Sequence, residues 1–211
     1  MRRVFVDPEA PQRDVILEAA KWIGLGYVVA IPTDTLYGLA VNPFNVAAVA
    51  RLFEVKGRPA GRALPLIAAD QDQITALLGP LSPDCERLAE QFWPGPLTML
   101  MPAPRALAPE VTAGSGKVGV RVPAHDVARA ICRAAGMPLT ATSANVSGQP
   151  ETTDPDEVER TLGDVIDLLI DTGRTPGHRP STIVDVSQAP PRLLRAGAIP
   201  WERIQDCLGR A

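Results

Sequence analysis

Lys56-Gly57-Arg58-Pro59, with Arg62 close behind, sets three cations on a segment broken by glycine and proline. Gly57 and Pro59 suit a turn that would converge Lys56 and Arg58. Arg121 and Arg195 close two further apolar runs, in Gly119-Val120-Arg121-Val122-Pro123 and Leu194-Arg195-Ala196-Gly197. Phosphoryl chemistry needs such cations, because charge developing on phosphate oxygens must be neutralised. The planar arginine fork suits carboxylates as well. The competing reading is a solvated surface, and it is the one adopted for Arg51, Arg87, Arg129 and Arg133 on helices. Ser143 and Asn145 follow the run Pro138-Leu139-Thr140-Ala141-Thr142, and Ser181-Thr182 precedes Ile183-Val184. A hydroxyl and an amide at a strand end either close an Asx-turn or cap, or bind a phosphate, ribose or amino-acid group. Ahead of all these, Tyr27-Val28-Val29-Ala30-Ile31 stops at Pro32, and Thr33 and Thr35 flank Asp34. Ligands of open α/β sheets bind beyond the carboxyl ends of strands, where small hydroxyls can contact them without filling the cleft.

The elements that must hold these residues are read from periodicity. Apolar residues at 15, 16, 19, 22 and 23 mark a helix over 14–23, closed by Gly24 and Gly26 before strand 27–31. Asn45 caps a helix over 46–55, and 64–68 is a buried strand. Asp70 starts a helix. Ser82-Pro83 starts another over 83–92. Residues 97–101 and 118–122 are strands, 126–135 is a helix ended by Gly136, and 138–142 is a strand leading into the Ser143 loop. Asp154-Pro155 opens a short helix. Strands 168–170, 182–186 and 193–195 and a helix near 201–208 complete the chain. The segments 103–117 and 171–181, rich in proline, glycine and threonine, are loops expected to border the cleft. The pattern predicts an α/β fold, a single domain over 1–211 with one twisted, mixed β-sheet flanked by helices.

Composition narrows the function. The 211 residues are 45% hydrophobic and 21% charged, ordinary for a globular domain. No run reaches the length of a membrane span. Val4-Phe5-Val6 is too short for a secretory core, so a cytoplasmic location is expected. The net charge of −3 argues against nonspecific nucleic-acid binding, although 18 arginines stand against only three lysines. Lys56 and Lys117 are two of those three. Cys85, Cys132 and Cys207 form no Cys-x-x-Cys and are expected to be structural, reduced thiols. His125 and His178 lack partners at metal-ligand spacing, so no protein-ligated transition metal is expected. There is no Gly-x-x-x-x-Gly-Lys-Ser/Thr loop, no Gly-x-Gly-x-x-Gly and no Gly-x-Ser-x-Gly, so those phosphate, dinucleotide and hydrolase signatures are missing.

Taken together, Ile31 to Leu39, Lys56-x-Arg58, Gly119 to Pro123, Thr142-Ser143-Ala144-Asn145-Val146-Ser147-Gly148, Pro180 to Asp185 and Leu194 to Gly197 resemble the YrdC family, the threonylcarbamoyl-AMP synthases in particular. The resemblance runs from about residue 10 to residue 200. It implies a YrdC-like fold and synthesis of L-threonylcarbamoyladenylate from L-threonine, bicarbonate or CO2, and ATP, with release of pyrophosphate. The product would serve threonylcarbamoyladenosine formation beside the anticodon of tRNA, through downstream tRNA threonylcarbamoyl transferase components.

The same resemblance implies that Thr33, Thr35, Arg121, Ala141 and Ser181 hold threonine, with Arg121 on its carboxylate. It puts Lys56, Arg58, Arg62, Lys117, Ser143, Asn145 and Arg195 around ATP, Lys56 and Arg58 being the catalytic pair. Mg2+ would arrive with ATP, held mainly by phosphates and water. Two positions depart from the pattern. Asp34 stands where many members carry glutamate, and Ile67 where many carry a histidine that helps bind threonine. The rival readings are a noncatalytic RNA-binding module of the same fold and a carbamoyl-transfer domain of a larger enzyme. The acidic net charge opposes the first, and the lack of accessory segments in this sequence opposes the second. Tight nucleic-acid binding and membrane association are not expected.

Overall fold

The computed structural model describes residues 1–59, 61–177 and 179–209, and its strands fall into two sheets where one was expected. β1 (Arg2–Phe5), β2 (Val29–Ile31), β3 (Gly38–Ala40), β8 (Thr142–Ser143) and β9 (Leu168–Asp171) form a five-stranded sheet ordered β1-β9-β2-β3-β8. β4 (Leu66–Ile67), β5 (Leu97–Pro102), β6 (Lys117–Arg121), β7 (Leu139–Thr140), β10 (Thr182–Asp185) and β11 (Arg192–Arg195) form a six-stranded sheet ordered β11-β10-β5-β6-β4-β7. Both mix parallel and antiparallel pairs: β2 runs parallel to β9 and antiparallel to β3, and β5 runs parallel to β10 and antiparallel to β6. Around them stand α1 (Arg13–Gly24), α2 (Val46–Lys56), α3 (Gln71–Leu78), α4 (Pro83–Phe92), α5 (Pro109–Thr112), α6 (Asp126–Ala135), α7 (Pro155–Leu162) and α8 (Trp201–Cys207).

Local chemistry fixes where the helices begin and end. Asn45 Oδ1 accepts from the Ala48 amide at 3.1 Å, and Asp70 Oδ1 accepts from the Gln73 amide at 3.0 Å. Each satisfies one of the four orphan donors of a helix start. Ser82 caps α4 and Pro83 occupies its first turn, as the sequence predicts. Gly57 takes a left-handed conformation, φ 54°, and so stops α2 and turns the chain towards Arg58.

Alternation along the strands builds two cores. Val28 and Ala30 enter one cluster with Leu39, Val49 and Leu52, while Val29 and Ile31 face a second with Ile16, Ala19 and Ile23 of α1 and Val127 and Ile131 of α6. β2 is therefore buried on both faces, which is why its sequence reads as a continuous apolar run. In the six-stranded sheet, Leu97, Met99 and Met101 of β5 and Val118, Val120 and Val122 around β6 join the first cluster. Each such side chain contributes about 1.5–3 kcal/mol when fully buried. The period of two then directs Thr98, Leu100, Gly119 and Arg121 to the opposite face, which is left open. Cys85 and Cys132 are buried and Cys207 is half-buried, all as free thiols, and burial pushes the Cys132 thiol up to about 12.

Candidate active site

The open face of the six-stranded sheet and the β2–β3 hairpin enclose a cavity of about 310 Å3. Thr33, Thr35, Arg58, Arg121, Ala141, Ser143, Ser181 and Arg195 all line it. Residues up to 162 positions apart in sequence thus converge, as expected of a site built at strand ends. Thr98, Gly119, Thr142 and Glu151 line it too. For Thr98 the signal was present: a hydroxyl interrupts the apolar run Leu97-Thr98-Met99-Leu100-Met101. Lys56, Arg62, Lys117 and Asn145 lie outside the lining. The segment 103–117 does not border it either; α5 lies there and packs Val111 into the core. Pro180 and Ser181 of the other expected loop do. His178 lies outside the described residues.

Each lining group is held by its own scaffold. Thr33 Oγ1 donates to the Leu36 carbonyl at 2.7 Å and accepts from the Thr35 and Leu36 amides at 3.2 Å, closing the turn after Pro32. Thr35 Oγ1 lies 3.1 Å from Thr33 Oγ1. Ser181 Oγ is 2.8 Å from Thr98 Oγ1, and Arg195 donates to the Ser181 carbonyl at 2.8 Å and to its hydroxyl at 3.0 Å. Arg58 donates to the Ala63 carbonyl at 2.9 Å and to the Arg62 carbonyl at 3.2 Å, which aims its guanidinium along the cavity wall. Lys117 instead pairs with Asp185 at 2.9 Å.

Two glycines create the space. A Cβ on Gly119 would meet Thr98 Cγ2 at 3.0 Å, so the floor stays open only without a side chain there. On Gly197 a Cβ would lie 2.5 Å from both the Ser181 carbonyl carbon and the Thr182 amide nitrogen, and closer still to the Pro180 oxygen. That glycine lets the chain after β11 press against the segment carrying Ser181. Gly197→Ala is expected to cost at least the overpacking penalty of about 1–3 kcal/mol. In a domain of this size each kcal/mol lowers Tm by roughly 2–4 °C. Calorimetric melting reads the loss, and an unchanged Tm would refute the close approach.

At the floor, Arg121 is 7% exposed, and its Nη1 stands 3.1 Å from Asp34 Oδ1. The contact is an ion pair without hydrogen-bond geometry. Asp34 Oδ1, Arg121 Nη1 and His125 Nδ1 are the buried side-chain polar atoms left without a hydrogen-bond partner among the described residues. A buried donor without an acceptor is costly, so this geometry favours a ligand that accepts from Arg121. Burial lowers the pKa of Arg121, with Arg195 adding to the shift and Asp34 opposing it. Burial likewise lowers Arg58, reinforced by Arg62, and lowers Arg195, opposed by Glu151. Burial lowers His125 against the pull of Asp34 and Asp126. Arginine keeps its proton throughout, so the arginine shifts express chiefly the cost of burying the charge, with like-charge repulsion added at Arg58 and Arg121, and a bound anion offsets both.

No group of three or more histidine, cysteine, aspartate or glutamate side chains among the described residues is arranged to hold a metal. No helix among them is long and apolar enough to cross a membrane.

Fold and site together define an α/β protein with a cationic, hydroxyl-lined cleft over the open face of a mixed sheet. Residues 21–197 match the Sua5/YciO/YrdC family model, described as telomere recombination. The chain belongs to that family. It is 39% identical over 191 residues to the threonylcarbamoyl-AMP synthase of Pyrococcus abyssi, covering 90% of this chain and 56% of that one. It is 40% identical over 212 residues to the threonylcarbamoyl-AMP synthase of Bacillus subtilis, covering 99% and 61%. The crystal structure of P. abyssi Sua5 complexed with L-threonine superposes with a TM-score of 0.94 at 37% identity, covering all of this chain and 62% of that one. The chain thus spans about three fifths of the length of these relatives.

Proposed function

We propose that the protein makes L-threonylcarbamoyladenylate from L-threonine, bicarbonate or CO2, and ATP. The observation that carries this reading is the convergence of Arg58, Arg121 and Arg195 on one cavity beside the hydroxyls of Thr35, Ser143 and Ser181. Two anionic substrates need two cationic ends. Arg121 takes the threonine carboxylate at the floor, with Thr33, Thr35, Ser181 and Ala141 around the rest of the amino acid. Arg58, Ser143 and Arg195 face the nucleotide phosphates, with Arg62, Lys117 and Asn145 set further out. Binding of L-threonine by the P. abyssi relative supports the first assignment.

The chemistry is an addition followed by a displacement. The neutral threonine amine adds to CO2 and loses a proton, giving a carbamate. A carbamate oxygen then attacks the α-phosphorus of ATP, and the bond to the bridging oxygen breaks with release of pyrophosphate. No enzyme nucleophile is required, so rate comes from positioning and charge neutralisation. ATP brings Mg2+, held by its phosphates and water, and Glu151 is the carboxylate of the lining that would meet it. Ile67 presents an apolar wall where relatives with a histidine have a polar one.

Such a protein works in the cytoplasm and hands the adenylate to a tRNA threonylcarbamoyl transferase. It need not grip tRNA itself, which a net charge of −3 would not favour. The test is incubation with ATP, threonine and bicarbonate, with detection of pyrophosphate and the adenylate. Release that depends on both threonine and bicarbonate is expected. Equal release without threonine, or with any amino acid, sinks the assignment.

A further inference from the structure

A buried ammonium carries three N–H donors, and each needs an acceptor. Lys56 finds all three within the protein. It ends α2, is 1% exposed and lies outside the cavity lining. Its Nζ donates to the Ser143 carbonyl, to the Asn145 carbonyl at 2.8 Å and to Asn145 Oδ1 at 3.1 Å. Its main chain is engaged as well, since the Lys56 carbonyl accepts from the Ser147 amide at 2.8 Å. The loop it grips is tied internally: Ser143 Oγ bonds to Asn145 Oδ1 at 2.7 Å, and Asn145 Nδ2 donates to the Gln149 carbonyl at 2.5 Å. One residue beyond Lys56 the chain turns at Gly57 and delivers Arg58 to the cavity.

We infer that Lys56 is a positioning residue, a clamp that fixes the 143–147 loop to the end of α2 and so sets Ser143 against Arg58, rather than a cation that touches the nucleotide. With every donor directed into the loop, a phosphate could reach this ammonium only by breaking contacts that hold Ser143 in place. Burial and Arg58 lower the lysine pKa to about 8, Glu151 opposing, a cost that three strong acceptors offset. The inference rests on the reading of Arg58 and Ser143 as the nucleotide wall.

Lys56→Met keeps the apolar stem and removes the donors. Lys56→Gln removes the charge but keeps two N–H groups. Amide hydrogen exchange over 143–149 is expected to quicken roughly tenfold or more in Lys56→Met, with β2 and β5 unaffected. KM for ATP is expected to rise by a similar factor, with KM for threonine unchanged. Lys56→Gln is expected to recover part of both losses, because donors and not charge are what the loop needs. Lys56→Gln also decides the matter if Lys56→Met fails to fold. Unaltered exchange over 143–149 with weakened ATP binding would overturn the clamp and make Lys56 a phosphate ligand, as would equal losses in both variants. If the unmutated protein shows no threonine-dependent pyrophosphate release, the enzymatic reading falls, and the exchange arm still decides the clamp.

Discussion

Arg58→Ala is expected to reduce threonine-dependent pyrophosphate release by about 10²–10³-fold, the loss typical when one preorganised donor to developing charge is removed, about 2.7–4 kcal/mol. The side chain is half-buried; its shorter hydrogen bonds run to the Ala63 and Arg62 carbonyls beside it, with a longer one to Thr142 Oγ1 at 3.5 Å and the Phe53 ring 6.0 Å away, so its removal takes little from the core. The melting temperature should therefore stay near that of the parent protein. Among the described residues its guanidinium forms no ion pair with a carboxylate, and burial, reinforced by Arg62, lowers its pKa, so its charge is available to a polyanion. Near-normal turnover in a folded Arg58→Ala protein would return this arginine to the solvated surface.

Arg121→Lys separates the two ends of the cavity. The guanidinium faces Asp34 through Nη1, at ion-pair distance but without hydrogen-bond geometry. A lysine ammonium is a point charge and cannot form a planar fork on a carboxylate while still facing Asp34. Loss of a hydrogen bond to a charged group costs about 1.5–3 kcal/mol, so threonine affinity is expected to fall on the order of 10- to 150-fold. ATP binding should be largely retained, because the nucleotide contacts proposed above are Arg58 and Arg195. Calorimetric titration with each ligand reads the difference. Equal losses for both would remove Arg121 from the threonine end.

The helices were the legible part of this fold because their signals are local. Asn45, Ser82-Pro83 and Gly136 mark boundaries that the structure reproduces, since a cap acts within four residues of its partner. Strand pairing is not local, and there the sequence misled. β1 is a four-residue edge strand, Arg2–Phe5, whose partner β9 lies far along the chain, so nothing nearby announced it. Gly38–Ala40 lies outside every strand read from the sequence, yet it pairs with β2 as β3. The site shows the same division. Residues at strand ends and at the turn after α2 could be named, and Arg58, Arg121, Ser143, Ser181 and Arg195 do meet in one cavity. The Asp34–Arg121 pair could not be foreseen, because it joins a hairpin of one sheet to a strand of the other. Nor could the direction of the Lys56 amine, whose acceptors are mostly backbone carbonyls that sequence pattern does not reveal.

β7 ends at Thr140 in the six-stranded sheet, and β8 begins at Thr142 in the five-stranded one. Ala141 alone spans the crossing, its amide bonded to the Pro65 carbonyl at 2.9 Å, and it faces the cavity. One residue of extended chain reaches only about 3.3–3.6 Å. At that corner the two walls are stitched together and cannot swing apart like the halves of a clam shell. A ligand there enters a mould already set, so little chain has to be frozen on binding. Heat-capacity changes on binding should then track the apolar surface the ligand covers, without the larger signature of a segment folding around it.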